Sequence, residues 1–477
     1  ETYRDGIKID VSKYPNAKPQ FSPRFGFNYK PFDDENGSLQ IRGGTGLFTG
    51  TPPYVWISNQ AGNNGVLFGD LNVRAVKDKN DNIISDGRPS LGFTGNMDTY
   101  KPAEGSATRS DIAITDPDFK YPSLWKSNIA ADYKFGDGWV ATVELLYSKD
   151  INAIYHDNIG LYRTEQFVND GGAGNARPYY NGYYSDREGN QKAANHVVML
   201  RNTSKGHSLY TTFQLQKNFV DGILKGLYLN GSYSFGQSRG VTDGTSSVAT
   251  SAWKYRAALD GNAEEVGYTA GSFDGRLLLS ASYTANWSKY AATSFGLIYQ
   301  RYRPFRYSYC YNGDANGDSQ FSNDLMYIPA NFDEVKDHLL PGDFDSQEDA
   351  WKAMNAFIEQ DPYLSKHRGE YAERNGAVAP FANQLDLSVS HDIKIYQKNG
   401  RSHTLRFSFN IANFLNLLNR NWGVVQTTVL GNQQYQFLTI PKGQGPSAAN
   451  NYTLKYTMAK DLDETFKDNL NLSLIHI

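Results

Sequence analysis

The chain has 477 residues, a formal net charge of −3 and a pI near 6.3, so no basic field points to nucleic acid. Its mean hydropathy is −0.57 and it holds no run of about eighteen apolar residues, which excludes a transmembrane helix. Barrel strands are not excluded, because their alternating faces average out in any hydropathy window. The single cysteine, Cys310, excludes an intrachain disulfide framework and a cysteine-rich zinc site.

The aromatic content is the unusual quantity: 33 Tyr, 26 Phe and 7 Trp make 14% of the chain, beside 44 Gly. Long strands and turns suit that composition, and amphipathic rings are what a membrane interface selects. Glu1 opens the chain without an initiator Met and no signal peptide is visible. Residues 473–477 follow a polar segment without a turn or cap, so they are expected not to be native sequence. On this reading the chain is a fragment cut at both ends.

In chain order, period-two alternation marks the strands. A first, weaker pair covers Phe25 to Tyr29 and Leu39 to Phe48. From Trp125 to Phe135 the odd positions carry Trp125, Ile129, Ala131, Tyr133 and Phe135, and the even ones Lys126, Asn128, Asp132 and Lys134. After the tight turn Gly136-Asp137-Gly138, the side chains Trp139, Ala141, Val143, Leu145 and Tyr147 oppose Thr142, Glu144 and Ser148. The same grammar recurs at Leu209 to Gln216, Leu227 to Phe235, Arg276 to Trp287, Phe295 to Tyr299, Gln384 to Ser390 and, after Asn399-Gly400, Thr404 to Ile411. A last strand is expected at Tyr452 to Tyr456, for about eleven in all.

Length and spacing then fix the class. Several strands alternate over about 11–15 residues, against a soluble mean of roughly 5–6. A tilted bilayer-spanning strand needs about 9–11. Connections alternate between short ones, near 31–37, 136–138, 219–226, 288–290 and 397–401, and long ones, near 49–122, 154–206, 237–273, 304–381 and 415–450. Outer-membrane barrels sort their connections this way, with short periplasmic turns and long extracellular loops. The predicted fold is therefore all-β: an antiparallel transmembrane β-barrel, of which the chain supplies part. A β-sandwich also alternates, but its strands are shorter and its turns do not sort by length.

Several stretches resemble the TonB-dependent receptors of Gram-negative outer membranes, in particular the Oar-like group with a carboxypeptidase-regulatory-like domain. The resemblance rests on Ser22-Pro23-Arg24-Phe25-Gly26-Phe27, on the run Gln40 to Phe48, on Pro52-Pro53-Tyr54-Val55-Trp56, on Asn323 to Pro329, on Arg368 to Asn375 and on Asn410 to Asn416. It implies a 22-stranded barrel with an N-terminal plug and a TonB-binding box, of which about 11 strands lie here. Residues 1–477 would then be the C-terminal part of a receptor barrel, lacking plug and first strands. Implied partners are outer-membrane lipid, the TonB complex through the missing N-terminal part, an unknown nutrient and, as in the related SusC-like group, a surface lipoprotein. The implied activity is uptake of a nutrient across the outer membrane.

Three local features stand out. Asn312, Asp314, Asn316 and Asp318 place oxygen donors at alternate positions with Gly317 sixth, as in an EF-hand-type calcium loop, although Asn323 stands where that loop has Glu. An Asx- and Gly-rich turn explains the same residues without an ion. Residues 346–360 predict a helix with Ser346 as N-cap and a stripe of Trp351, Met354, Phe357 and Ile358, more simply packed on its own loop than on a partner. Tyr-rich stretches, Tyr179 to Tyr184 and Tyr302 to Tyr311, suit stacking on sugars or peptides, and Tyr307, Tyr309, Tyr311 and Tyr327 are the candidate substrate contacts. Loop packing explains them equally.

No catalytic arrangement emerges, and the chain is expected not to be an enzyme. The eight histidines are scattered, and no HExxH, G-x-S-x-G or P-loop spacing is present. Two other classes compete with a transporter: a soluble or secreted all-β glycan-binding or adhesive protein, and a β-rich glycosidase, for which no carboxylate pair can be singled out. Cell fractionation decides the first comparison. The protein is expected with outer membranes and soluble only in detergent; a water-soluble monomer at high concentration would remove the barrel.

Overall fold

A strand exposes its backbone N–H and C=O groups sideways, and in hydrocarbon those groups find no water. The sheet of this chain answers that constraint with neighbour-to-neighbour pairing. The computed structural model describes residues 3–64, 76–77, 83–85, 95–96, 98, 111–172, 176–184, 196–396, 401–426 and 434–458. Ten long strands form one antiparallel sheet in strict sequence order. They are β1 (Arg24–Asp34), β2 (Gly37–Thr49), β3 (Ser123–Phe135), β4 (Trp139–Asp150), β5 (Gly206–Asn218), β6 (Leu227–Gly240), β7 (Arg276–Ser288), β8 (Ala291–Tyr302), β9 (Ala382–Tyr396) and β10 (Ser402–Ile411). The sheet is open: β1 and β10 are its edges.

Register aligns the faces across the whole sheet, because directly opposed residues share a side. One row runs Phe32, Leu39, Tyr133, Ala141, Leu215, Gly231, Leu279, Tyr299 and Leu385. Beside it runs Gln40, Asp132, Thr142, Gln214, Ser232, Leu278, Gln300 and Gln384, where Leu278 is the one apolar member. Side-chain hydrogen bonds lace the polar face. Arg42 Nε donates to Asp132 at 2.9 Å and Thr142 Oγ1 to Asp132 at 2.7 Å. Gln214 donates to Asn230 at 2.6 Å, and Arg406 grips Asp392 with two bonds of 2.6 and 2.7 Å.

The apolar face is uncovered by protein. Leu145 is 41% exposed, Phe213 47% and Phe409 63%. In water so many exposed rings and branched chains would be a liability; against acyl chains they are the expected surface. Rings cluster toward both strand ends, with Phe25, Trp125 and Tyr147 at one and Tyr133, Trp287 and Tyr290 at the other. Trp125 and Phe135 stand near the two ends of the 13-residue β3. The chain between them extends about 33 Å. Tilted near 45°, that length spans roughly the 25 Å apolar band of an outer-membrane barrel.

Glycine has a packing role in β2. A Cβ on Gly43 would lie 2.7 Å from the Phe27 ring and 2.8 Å from the Asn128 carbonyl. The turn at Gly138 requires its φ of +83°.

Short turns join β1–β2, β3–β4, β5–β6 and β7–β8 at one end of the sheet, and the long connections leave from the other. The long segments are not separate loops. Their described parts pack into a cap with three hydrophobic clusters, the largest of which gathers Val168, Tyr309, Cys310, Leu325, Met326, Met354, Ile358, Phe437 and Tyr456 from distant stretches of chain. A five-stranded sheet runs through it in the order Leu339–Leu340, Tyr456–Met458, Gln434–Thr439, Arg306–Asn312, Ala377–Val378, with parallel pairs inside it.

One expected element is corrected here. The strand foreseen at Tyr452 to Tyr456 does not extend the large sheet; Tyr456–Met458 joins the cap sheet instead. The eleventh member of the large sheet is the two-residue strand Gly267–Tyr268, paired with β6. Alternation cannot separate membrane from cap strands when the run is this short. The turn expected at Asn399-Gly400 and the stretch 473–477 lie outside the described residues.

A charge on the uncovered face tests the solvent. Leu145→Arg, mid-strand on β4, is expected to cost about 2–4 kcal/mol in lipid vesicles, measured by denaturant titration of the folded barrel. Ser232→Lys on the opposite face costs little. Equal effects would mean that both faces meet water.

Candidate functional site

The cap is where chemistry-bearing side chains meet. Its helix Gln347–Gln360 forms as the sequence predicts: Ser346 Oγ accepts the Asp349 N–H at 3.1 Å, and Ala350, Met354, Phe357 and Ile358 are buried. Trp351 packs on the same core and meets Phe332. The helix covers its own cap.

The tyrosines expected to touch substrate lie in that core. Tyr309 and Tyr311 are buried on the strand Arg306–Asn312, and Tyr327 is buried opposite Tyr371. Their hydroxyls are taken: Tyr309 donates to Asp361 at 2.6 Å, Tyr327 donates to Glu334 at 3.0 Å, and Tyr311 accepts the Tyr327 N–H at 3.3 Å. Substrate contact at Tyr309, Tyr311 and Tyr327 does not fit this placement, because each ring fills core volume between distant segments. Tyr307 is only partly buried, with Tyr309 beside it. The exposed rings lie elsewhere. A cavity of about 560 Å³ at the cap rim is lined by Tyr14, Lys18, Tyr54, Phe119, Lys120 and Tyr121. Three separate stretches build it, so no local motif announced it.

Buried charge organises the cap interior. Arg177 is fully buried and bridges Asp170 at 2.9 Å and Asp324 at 3.1 Å, while also donating to the Leu325 carbonyl. Arg374 donates to the carbonyls of Gly240, Val241 and Gly267, tying the cap to the end of β6. Arg306 does the same with Ser272 and Asn375 at 3.1 and 3.0 Å and pairs with Asp274. Guanidinium groups suit this work because five fixed donors can satisfy several carbonyls at once.

Of the candidate calcium ligands, the structure gathers Asp314, Asn316 and Asp318 on one turn and adds Asp324. Asn312 is not with them: it is exposed, and its Nδ2 donates to Thr439 Oγ1 at 3.3 Å. Asn312 therefore stands outside the acidic turn. Read from Asp314, the alternate donors are Asp314, Asn316 and Asp318. Burial, with Asp324 and Asp314 adjacent, pushes the Asp318 carboxyl well above the usual carboxylate range. Burial likewise lifts Asp324 to about 7, opposed by Arg177 and assisted by Asp314.

An uncovered apolar belt, a polar opposite face and a cap built from the described parts of the long connections define an outer-membrane barrel protein. The chain matches the family model described as outer membrane beta barrel domain over residues 5–447 and belongs to that family. Its place is the cell outer membrane. No curated protein matches it significantly. Among solved structures it is similar to a variant of the ferric enterobactin receptor PfeA from Pseudomonas aeruginosa, at 8% identity and a TM-score of 0.34, over 81% of this chain and 40% of that one. It is also similar to the siderophore receptor PirA from Acinetobacter baumannii, at 8% identity and 0.32, over 81% and 41%. A third is the FrpB iron transporter from Neisseria meningitidis, at 8% identity and 0.28, over 81% and 41%. The chain thus spans about two fifths of the length of these receptors.

His156 makes the cap sensitive to acid. Its ring is buried against Trp56, its Nε2 has no hydrogen-bond partner, and burial beside Arg256 lowers its pKa to about 4. The folded pKa lies below the unfolded one, so the stabilisation is complete above about pH 6.5 and is lost as pH falls toward 4. The loss amounts to about 3 kcal/mol. Near-UV circular dichroism of thermal unfolding in detergent is expected to show it, and His156→Gln should flatten the profile. An unchanged profile in that variant would assign the acid response to other groups.

Proposed function

We propose that this chain is the barrel portion of a TonB-dependent transporter of the Oar-like group, which carries a nutrient across the Gram-negative outer membrane. The observation that carries the reading is the single cap. The described parts of the long connections pack together over one end of a sheet whose polar face would line a water-filled path. A plain pore has no need of such a cap with a hydrophobic core of its own; a gated, ligand-selecting entrance does.

An open sheet edge is forbidden in hydrocarbon. We therefore infer that β1 and β10 meet further strands of a larger barrel, near the 22 of plugged transporters. A lumen of that width needs a plug, and the plug would carry the TonB contact. Substrate would enter past the exposed rings of the rim cavity, Tyr14, Tyr54 and Tyr121, with Tyr307 a further candidate. Lys120 there, beside Lys18 and its ion-pair partner Asp118 at 2.6 Å, favours a hydroxyl-rich or singly anionic ligand. A surface lipoprotein closing over the cap fits the same scheme. No enzymatic step is part of this reading.

The test is energy dependence. Cells expressing the full-length gene are incubated with a ferric siderophore, cobalamin, a maltooligosaccharide and a peptide mixture. Accumulation of at least one is expected, and it falls to background when TonB is deleted or the proton gradient is collapsed. Accumulation that survives both treatments would make the protein a passive pore. Surface adhesion to a glycan with no uptake would favour the adhesive reading.

A further inference from the structure

Asp314, Asp318 and Asp324 each present a carboxylate oxygen, and these oxygens lie within 4.8 Å of one another. Asp318 and Asp324 are buried and Asp314 half-buried. Cationic compensation is thin. Arg177 reaches Asp324 at 3.1 Å but is shared with Asp170. Four carboxylates thus meet one guanidinium, and like charges packed in a dry interior repel strongly.

The remaining partners leave a gap of one kind. Asp314 accepts the N–H groups of Asn316, Gly317 and Ser319 at 3.1, 2.6 and 2.8 Å. Asp324 Oδ2 accepts the Ala315 N–H at 2.9 Å. Asp318 Oδ1 accepts the Gln320 N–H at 2.8 Å, yet among the described residues its Oδ2 meets only the Asn316 and Asn323 amides, both at the long distance of 3.5 Å. Independently of the acids, Asn323 is 2% exposed and its Oδ1 has no hydrogen-bond partner. Its Nδ2 lies 3.5 Å from Asp318 Oδ2, so the bare oxygen on the same carboxamide carbon sits beside the carboxylates, and a half-turn of the amide aims it at them. Buried polar atoms without partners are rare and require an explanation.

We propose that this loop binds one calcium ion through Asp314, Asp318, Asp324 and the carboxamide oxygen of Asn323. The donors are all oxygen, with no sulfur or imidazole, which selects a hard cation. Supply by one protein loop favours calcium, since magnesium retains several waters and usually binds through only one or two carboxylates. The ion neutralises the carboxylate excess and gives the Asn323 oxygen its partner. It also pins separate parts of the cap. The Asn316 carbonyl accepts the Tyr180 N–H at 2.8 Å, and the Asn323 carbonyl accepts the Ala258 N–H at 2.9 Å. Binding would therefore order three segments together. The inference rests on the cap alone and holds whether or not the barrel transports anything.

The test uses the detergent-purified full chain stripped with chelator. Terbium is the probe, with Trp253 as antenna: its indole and Asp318 Oδ2 both lie within 4 Å of the Cβ position of Gly261. Sensitised terbium emission is expected, displaced by calcium at roughly 10⁻⁴–10⁻³ M and not by equal magnesium. Calcium should also raise the unfolding midpoint of the cap. Asp318→Asn should weaken binding by at least tenfold. If that variant fails to fold, Asn323→Ala removes the neutral oxygen while sparing every carboxylate, and it should weaken binding while the chelated protein unfolds as before. Absence of sensitised emission overturns the proposal. So does emission unchanged in Asn323→Ala, or displacement by magnesium as readily as by calcium.

Discussion

Every backbone N–H and C=O that enters hydrocarbon must find its partner within the protein, since each orphan costs several kcal/mol there. That constraint shapes the rest of this molecule. It demands strands long enough to cross, which here run from 10 residues in β10 to 15 in β9. It demands that each strand pair on both sides, and the neighbour-to-neighbour meander achieves this for β2 through β9. Once the ladder is set, the side chains have no freedom of face. Val143 must lie opposite Phe213 and Ala131, and Thr142 opposite Gln214 and Asp132.

The same constraint separates the two solvents along the chain axis. Membrane strands carry their apolar residues outward, where no protein covers them. The cap does the reverse: Tyr309, Met354, Phe437 and Tyr456 are buried. One chain therefore has two hydrophobic surfaces of opposite sense. At the boundary between them cations work beside ring contacts such as Tyr210 on Phe273 at 4.6 Å. Arg306 and Arg374 satisfy carbonyls where the cap meets the strand ends. A guanidinium suits a boundary between lipid headgroups, water and protein, because it stays charged and offers several donors in fixed directions.

Inside the cap, charge is placed where packing alone would reject it. Arg177 with Asp170 and Asp324 forms a buried network joining the stretch before β5 to the loop before β9. Buried ion pairs add little net stability over apolar contacts, but removing one partner is severe. Their value here is registry: Tyr- and Asn-rich segments of similar composition are told apart by which carboxylate meets which cation. The acidic turn beside this network shares the one guanidinium of Arg177 with Asp170.

The membrane strands were legible in the sequence because their signal is local. A period of two over more than ten residues, punctuated by turns such as Gly136-Asp137-Gly138, identifies β3 and β4 without reference to any other part of the chain. The helix after Ser346 was legible for the same reason, through its cap and its stripe. The Tyr-rich stretches were ambiguous, since exposure is not local: Tyr309 is buried because Phe357, Tyr363, Tyr435 and Phe437 reach it from elsewhere. The acidic turn was visible as a motif, but the sequence did not show that Asp324 packs beside it and Asn312 does not, because that depends on how the loop folds back. Sequence alone thus determined the faces, lengths and order of the membrane strands, which obey the period of a pleated backbone. Only tertiary structure decided what the long connections do, because their core, their buried charges and the fate of Tyr456 depend on contacts between segments far apart in the chain, such as Arg177 with Asp324 and Leu339 with Tyr456.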